Sequence, residues 1–250
     1  MTRTAFVTGG AQGIGRGIAT ALGAQGFRVA VVDVDVESAQ ATAESITAAG
    51  GTALAVRADV TDTGSVRAAV QTVTDELGPV EIAVNNAGWD DFMNFVDTTE
   101  EFWERILDIN FTGMLRVTHT VVPGMIERGW GRVINIGSDA GRVGSSLEAV
   151  YSGAKGGTIA FTKTLAREVA RHGITANTVC PGPTDTAMLQ AFAAKSGDGA
   201  KVLDGMTRAV PMRRLAQPSD VATAVAFFAS DATGYITGQT LSVSGGLTMA

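Results

Sequence analysis

Thr8-Gly-Gly-Ala-Gln-Gly-Ile-Gly15 follows directly on the apolar run Ala5-Phe-Val7. A short strand that runs straight into a glycine turn, with apolar residues then recurring at Ile14, Ile18, Ala19 and Leu22, reads as strand, turn and helix. Gly9, Gly13 and Gly15 remove side chains where the backbone has to turn, approach a pyrophosphate closely and pack helix against strand. Gln12 and Ile14 fill the turn between them. The start of the helix then offers free N–H groups and the favourable end of its dipole to phosphate. A second apolar run, Arg28 to Val32, ends in Asp33. That acid stands about twenty residues after the glycines, where a carboxylate receives the hydroxyls of an adenosine ribose.

Outward from this unit, apolar runs alternate with helical patterns along the whole chain. Strands are expected at 4–8, 28–33, 52–58, 80–85, 131–137, 174–180 and 239–243, and helices near 13–25, 36–49, 62–77, 99–128, 150–172 and 218–230. Val29-Ala-Val-Val32 and Val133-Ile-Asn-Ile136 are apolar on both faces, as in strands of a parallel sheet covered on each side by helices. Right-handed crossovers make this a single-domain α/β fold: a Rossmann-type, doubly wound, seven-stranded parallel sheet. Ligands of such sheets bind beyond the carboxyl ends of the strands. Gly9, Asp33, Asp59, Asn86, Ser138 and Pro181 all fall there, each after a different strand.

The 250 residues carry a formal charge of −6 and are 45% hydrophobic. An acidic chain lacks the basic stripe that nucleic acid requires. No apolar run approaches a membrane span, and the N-terminus enters the first strand without a signal-like segment. One cysteine, Cys180, cannot form an intrachain disulfide and reads as a small buried residue. Two histidines, His119 and His172, have no Cys/His/Asp cluster beside them, so no metal is expected. These features fit a soluble cytoplasmic protein.

Tyr151 and Lys155 stand four apart in Tyr-Ser-Gly-Ala-Lys, on one face of an expected helix. An ammonium close to a phenol favours the phenolate, and a phenol so tuned can exchange a proton with an alcohol. Ser138 lies upstream and can hydrogen-bond the same oxygen.

Together the segments Thr8–Gly15, Asp59-Val60, Asn85-Asn-Ala-Gly88, Asn110, Ser138, Tyr151–Lys155 and Pro181-Gly-Pro-Thr-Asp-Thr186 resemble the short-chain dehydrogenase/reductase family over essentially the full chain. The resemblance implies an oxidoreductase interconverting a secondary alcohol and a ketone. In it Tyr151 is the acid/base, Ser138 polarises the carbonyl, and Lys155 holds the nicotinamide ribose and lowers the tyrosine pKa. Asn110 supports a water relay, Asp59 and Val60 contact adenine, and Asn86 lines the ribose beside Gly88. Thr184 and Thr186 meet the carboxamide or phosphates, and Pro181 and Gly182 also bind the cofactor. It also implies a homotetramer paired through the helices at 99–128 and 150–172.

Asp33 would repel a 2′-phosphate, and Gln12 stands where a basic residue would welcome one, so NAD is expected over NADP. The segments Trp89-Asp-Asp-Phe92, Ser138–Tyr151 and Cys180–Met188 resemble family members that oxidise a β-hydroxyacyl-CoA, such as 2-hydroxycyclohexanecarboxyl-CoA. Two alternatives stand beside this: an NADPH-dependent 3-oxoacyl-carrier-protein reductase, and a dehydrogenase of a small polyol, sugar or steroid. A lid is expected at 184–214, with Met188 over the substrate. Its five basic residues, Lys195, Lys201, Arg208, Arg213 and Arg214, suit CoA phosphates or simply a solvated pair of helices. Arg142 either reaches the acyl thioester or is a surface arginine. Trp89 either walls the substrate or packs beside the cofactor loop.

Overall fold

The computed structural model describes residues 2–195 and 197–250. Seven strands form one parallel sheet: β1 Thr4–Thr8, β2 Arg28–Asp33, β3 Thr52–Arg57, β4 Val80–Asn85, β5 Gly131–Ile136, β6 Ile174–Pro181 and β7 Thr240–Val243. Their order is β3-β2-β1-β4-β5-β6-β7. The direction of winding therefore reverses between β1 and β4, and the crevice this opens lies at the glycine turn.

Strand alternation divides the core into two layers. Ala5 and Val7 of β1, with Val29 and Val31 of β2, face one layer. It is completed by α1 (Gly13–Ala24), α2 (Val36–Ala48) and α10 (Pro218–Ala229) through Ile18, Ala39 and Val225. Phe6, Ala30 and Val32 face the other, against α3 (Thr63–Leu77), α5 (Gly113–Arg128) and α7 (Ala149–Val169) through Val73, Val121 and Leu165. Both faces of the sheet are dry, as the two-sided apolar strands require.

The long helix expected at 99–128 is interrupted. It consists of α4 (Glu100–Leu107), a π-turn over Asp108–Thr112, and α5. In the π-turn Asn110 donates its side-chain N–H to the Ile106 carbonyl at 2.9 Å, so a side chain enters the backbone ladder. A short α6 (Ala140–Val143) was not foreseen. The segment 184–214 contains α8 (Ala187–Lys195) and α9 (Gly199–Ala209); Ser196 between them lies outside the described residues. No helix among the described residues is long and apolar enough to cross a membrane.

Candidate active site

The glycine turn is built for close approach. Gly9 sits at φ +62°, in the left-handed region, and Gly15 packs against it so tightly that a Cβ on Gly15 would lie 1.9 Å from the Gly9 carbonyl oxygen. Asn86 braces the turn from the end of β4: its side-chain N–H groups donate to the Thr8 and Gly9 carbonyls, each at 3.0 Å. The Thr8 hydroxyl accepts the N–H groups of Asn86 and Ala87 at 3.0 and 3.1 Å. Asn86 borders the crevice, but its side-chain N–H groups are spent on the backbone, which makes it a brace for the turn. Gly13 faces the segment that follows β6, where a Cβ would come 3.4 Å from Thr186.

A cavity of about 1300 Å³ runs along the carboxyl ends of the strands. Gly9, Gln12, Gly13, Ile14 and Gly15 line it from the turn, Asp33 from β2, and Asp59 and Val60 from beyond β3. Asn86, Gly88 and Trp89 follow β4; Pro181, Gly182, Thr184 and Thr186 lie at the end of β6 and beyond. Ser138, Tyr151 and Lys155 form its floor, and Met188 and Phe192 of α8 its roof. The space left by the glycines and the N–H-rich turn above α1 fit a dinucleotide. Asp33 Oδ2 accepts the Ala11 N–H at 3.1 Å and Oδ1 the Asp35 N–H at 3.2 Å, which fixes the carboxylate at the rim. The Asp59 carboxylate accepts both the N–H and the hydroxyl of Thr61, which together hold its pKa below the usual value.

Ser138 and Tyr151 line the cavity together, so two hydroxyl side chains face the same space. Lys155 does not reach the phenol oxygen. Its Nζ donates to the Ile136 carbonyl at 2.9 Å and lies 5.5 Å from the centre of the tyrosine ring. Burial pushes the Tyr151 pKa above the ordinary phenol value, the negative charges of Glu148 and Asp90 add to this, and the neighbouring Ser138 hydroxyl opposes it. Burial also draws Lys155 down to about 8. Lys155 thus shares the tyrosine's face of α7, with its ammonium bonded to the backbone of β5.

Asn110 stands behind this floor and does not line the cavity. Its amide donates to the Trp89 carbonyl at 2.6 Å and its oxygen accepts the Trp89 N–H at 3.3 Å. A Cβ on Gly88 would strike Asn110 Oδ1 at 2.8 Å and come 3.7 Å from Lys155 Nζ, so this glycine lets the three groups converge.

The substrate end differs more from expectation. Arg142 is corrected: its guanidinium donates to Ser242 on β7 at 2.7 Å, and it does not line the cavity. Ser242 in turn donates to Asp139, which anchors the backbone beside Ser138. Trp89 lines the cavity and is also packed, with Arg105 3.7 Å over its ring and Phe102 edge-on at 5.9 Å. The basic residues of 184–214 are largely paired with carboxylates. Lys195 pairs with Asp91 at 3.0 Å, Arg208 with Asp204 at 2.8 Å and Arg214 with Asp220 at 2.6 Å, which leaves little net charge for CoA phosphates.

Sequence reasoning missed what closes the roof. Phe192 of α8 stacks on Phe92 with ring centres 3.7 Å apart, beside the Lys195–Asp91 pair. Stacking of aromatic rings contributes about 0.5–1.5 kcal/mol beyond burial, whereas an exposed ion pair contributes about 0–1 kcal/mol. Phe192→Ala is accordingly expected to speed proteolytic cleavage within 187–209 more than Lys195→Ala does. Equal rates, or the reverse order, would show that charge and not the ring pair holds the roof.

The family model described as enoyl-(acyl carrier protein) reductase matches residues 9–248. The chain is 40% identical to acetoacetyl-CoA reductase of Allochromatium vinosum, over 100% of both chains. It is 38% identical to 3-oxoacyl-[acyl-carrier-protein] reductase FabG of Vibrio cholerae, over 99% of this chain and 98% of the relative. Among solved structures, a single-substitution variant of actinorhodin polyketide ketoreductase with NADPH superimposes with a TM-score of 0.95 at 38% identity, covering 98% of this chain and 97% of that one. With the glycine turn, the crevice and the Ser138–Tyr151 floor in place, these likenesses establish that the chain belongs to the short-chain dehydrogenase/reductase family of nicotinamide-dependent oxidoreductases.

Proposed function

We propose that the protein interconverts a β-ketoacyl thioester and the corresponding β-hydroxyacyl thioester, with NAD(H) preferred over NADP(H). The observation that carries this reading is the pair of hydroxyl side chains that line the cavity together, Ser138 beyond the end of β5 and Tyr151 on α7, where a carbonyl oxygen can accept from both. The cofactor supplies or accepts the hydride. In reduction Tyr151 donates its proton to the carbonyl oxygen as the carbon gains hydride; in oxidation the same oxygen takes the hydroxyl proton. Ser138 holds the substrate oxygen in place. Lys155 and Asn110 stiffen the floor from below, Lys155 through the Ile136 carbonyl and Asn110 through Trp89.

The relatives named as acetoacetyl-CoA and 3-oxoacyl-carrier-protein reductases support a linear ketoacyl thioester ahead of the cyclic hydroxyacyl-CoA suggested by the sequence. The ring substrate stands as a second reading because Trp89 and Phe92 give the substrate end flat apolar walls. For the cofactor, Asp33 presents its carboxylate at the adenosine end, and Val34 follows it. Among the described residues, Arg105 and Lys155 are the basic ones lining the cavity, and both stand at the substrate end or floor. A 2′-phosphate would therefore meet the Asp33 anion without a described cation lining the cavity beside it.

The decisive assay compares acetoacetyl-CoA reduction by NADH and by NADPH with oxidation of 2-hydroxycyclohexanecarboxyl-CoA. The expected result is turnover of acetoacetyl-CoA with a KM for NADH lower by about tenfold or more, since placing like charges side by side costs on the order of 1 kcal/mol or more. A lower KM for NADPH would overturn the Asp33 argument. Turnover of the ring substrate alone would reverse the order of the two substrates.

A further inference from the structure

Arg105 is a cation at the substrate end of the cavity that the proposed reaction leaves unused. It stands in the last turn of α4, whose first turn is capped by Thr99 accepting the Phe102 N–H at 3.3 Å. Phe102 and Arg105, three positions apart, share one face of the helix and bracket a single side chain. Phe102 meets the Trp89 ring edge-on, and the Arg105 guanidinium lies over the same ring with its central carbon 3.7 Å from the ring centre. The backbone of Trp89 is itself held, since Asn110 accepts its N–H and donates to its carbonyl. An exposed arginine is thereby given a fixed place on the cavity wall.

A guanidinium carries five N–H donors and no acceptor. Contact with the face of an indole attracts the charge but supplies no lone pair to those donors. Among the described residues no carboxylate lies within 4 Å of Arg105, and no oxygen accepts from its side chain. Asp108, three positions on, pairs with Arg116 at 2.7 Å instead. The other basic residue that lines the cavity, Lys155, is 4% exposed and donates to the Ile136 carbonyl. None of the basic residues of 184–214 lines the cavity. The remaining acids on its wall are Asp33 and Asp59 at the adenosine end, Asp139, to which Ser242 donates, and Glu148 at the start of α7. In a chain of net charge −6, the open guanidinium gives the substrate end a local positive site.

We propose that Arg105, mounted on Trp89, is a specificity-determining residue that receives an oxyanion carried by the substrate away from its carbonyl. The ligand class is a group that can accept two parallel N–H bonds, a phosphate or a carboxylate. In a thioester the phosphates of the CoA or carrier arm supply it; in a free keto acid the carboxylate does. The inference rests on the proposed reaction for where the carbonyl lies, at Tyr151 and Ser138, and deepens it by naming what the other end of the substrate carries. Arginine suits the place better than lysine, because a planar, weakly hydrated guanidinium can lie on an aromatic face and still present its N–H edge. No bond is made or broken at Arg105, so its part is in affinity, and kcat/KM responds through KM.

The test compares Arg105→Gln and Arg105→Lys with wild type on two matched pairs of ketones. One pair is acetoacetyl-CoA and the uncharged N-acetylcysteamine thioester of acetoacetate; the other is 7-oxooctanoate and its methyl ester. For Arg105→Gln the kcat/KM ratio of acetoacetyl-CoA to its neutral partner is expected to fall by about ten- to hundredfold, the range for a hydrogen bond to a charged group, with the change in KM. Arg105→Lys keeps the charge without the fork and should recover part of the loss. A fall confined to the 7-oxooctanoate pair upholds the site and makes the carboxylate its ligand. Equal losses on charged and neutral substrates would make Arg105 a packing partner of Trp89 and overturn the proposal, as would no loss on any. A second readout needs no turnover: calorimetric titration of CoA and of 7-oxooctanoate into cofactor-saturated protein. Weaker binding of either by Arg105→Gln, with none of the ketones reduced, keeps the oxyanion site and removes the reaction proposed beside it. Equal binding by wild type and Arg105→Gln, or binding by neither, overturns the site, while turnover of the neutral thioester would still uphold the reaction.

Discussion

Tyr151→Phe is expected to lower turnover by about 10³-fold or more, the upper part of the range that a positioned proton donor contributes. The substitution removes one oxygen and leaves the ring in place. Ser138 still accepts the Ala140 N–H at 3.1 Å, so the floor keeps its shape. The cost to stability is at most on the order of 1 kcal/mol, that of one hydrogen bond. Cofactor affinity should stay within about threefold, because the binding surfaces above α1 and at Asp33 are untouched and a threefold change is less than about 1 kcal/mol. Steady-state rates beside a cofactor titration separate the two effects. If the variant keeps turnover within about tenfold of wild type, the acid lies elsewhere, since a loss that small falls short of what a positioned proton donor supplies. If turnover and cofactor binding fall together, Tyr151 is part of the binding surface and the proton argument loses its ground.

The contrast between Tyr151 and its neighbours marks how far the site could be read from sequence. Strand positions were legible because alternation and two-sided apolar runs report burial directly: every strand lies within one residue of its expected ends. The crevice followed from the glycine turn and the strand order. Lys155 was located correctly on the face of α7, but its effect on Tyr151 was not legible, because that depends on where Nζ finds an acceptor, and the acceptor is a carbonyl of β5. Arg142 looked free to reach a substrate because its hydrogen-bond partner, Ser242, comes from the last strand, a hundred residues away. Lid charges were misleading for the same reason, since Asp91 and Asp220 lie outside the segment that was counted. The π-turn at Asp108–Thr112 left no periodic signal, as the apolar pattern of the helix continues through it.

Gly15→Ala should abolish cofactor binding and cost on the order of 3 kcal/mol of stability or more, the upper end for forcing a methyl group into filled space. The added carbon would sit 1.9 Å from the Gly9 carbonyl oxygen and 2.5 Å from Asn86 Nδ2. The first is backbone, and the second is a side-chain end held by its bonds to the Thr8 and Gly9 carbonyls. The Gly9 carbonyl is the acceptor of Asn86, and Asn86 ties the end of β4 to the end of β1. Relief of the clash must therefore open the turn and loosen the brace between the two strands that flank the switch point. The N–H groups above α1 then no longer converge on one phosphate position, and the loss of affinity should exceed the loss of stability in its consequences for activity. Gly205→Ala is the matched control: it lies exposed in α9 with nothing within 4 Å of the new carbon, and alanine is the better helix former by about 1 kcal/mol. Thermal unfolding and cofactor titration of both variants give the comparison. A Gly15→Ala protein that binds cofactor normally would mean that the turn yields without cost, and that the tight packing of Gly15 on Gly9 is not what shapes the phosphate site.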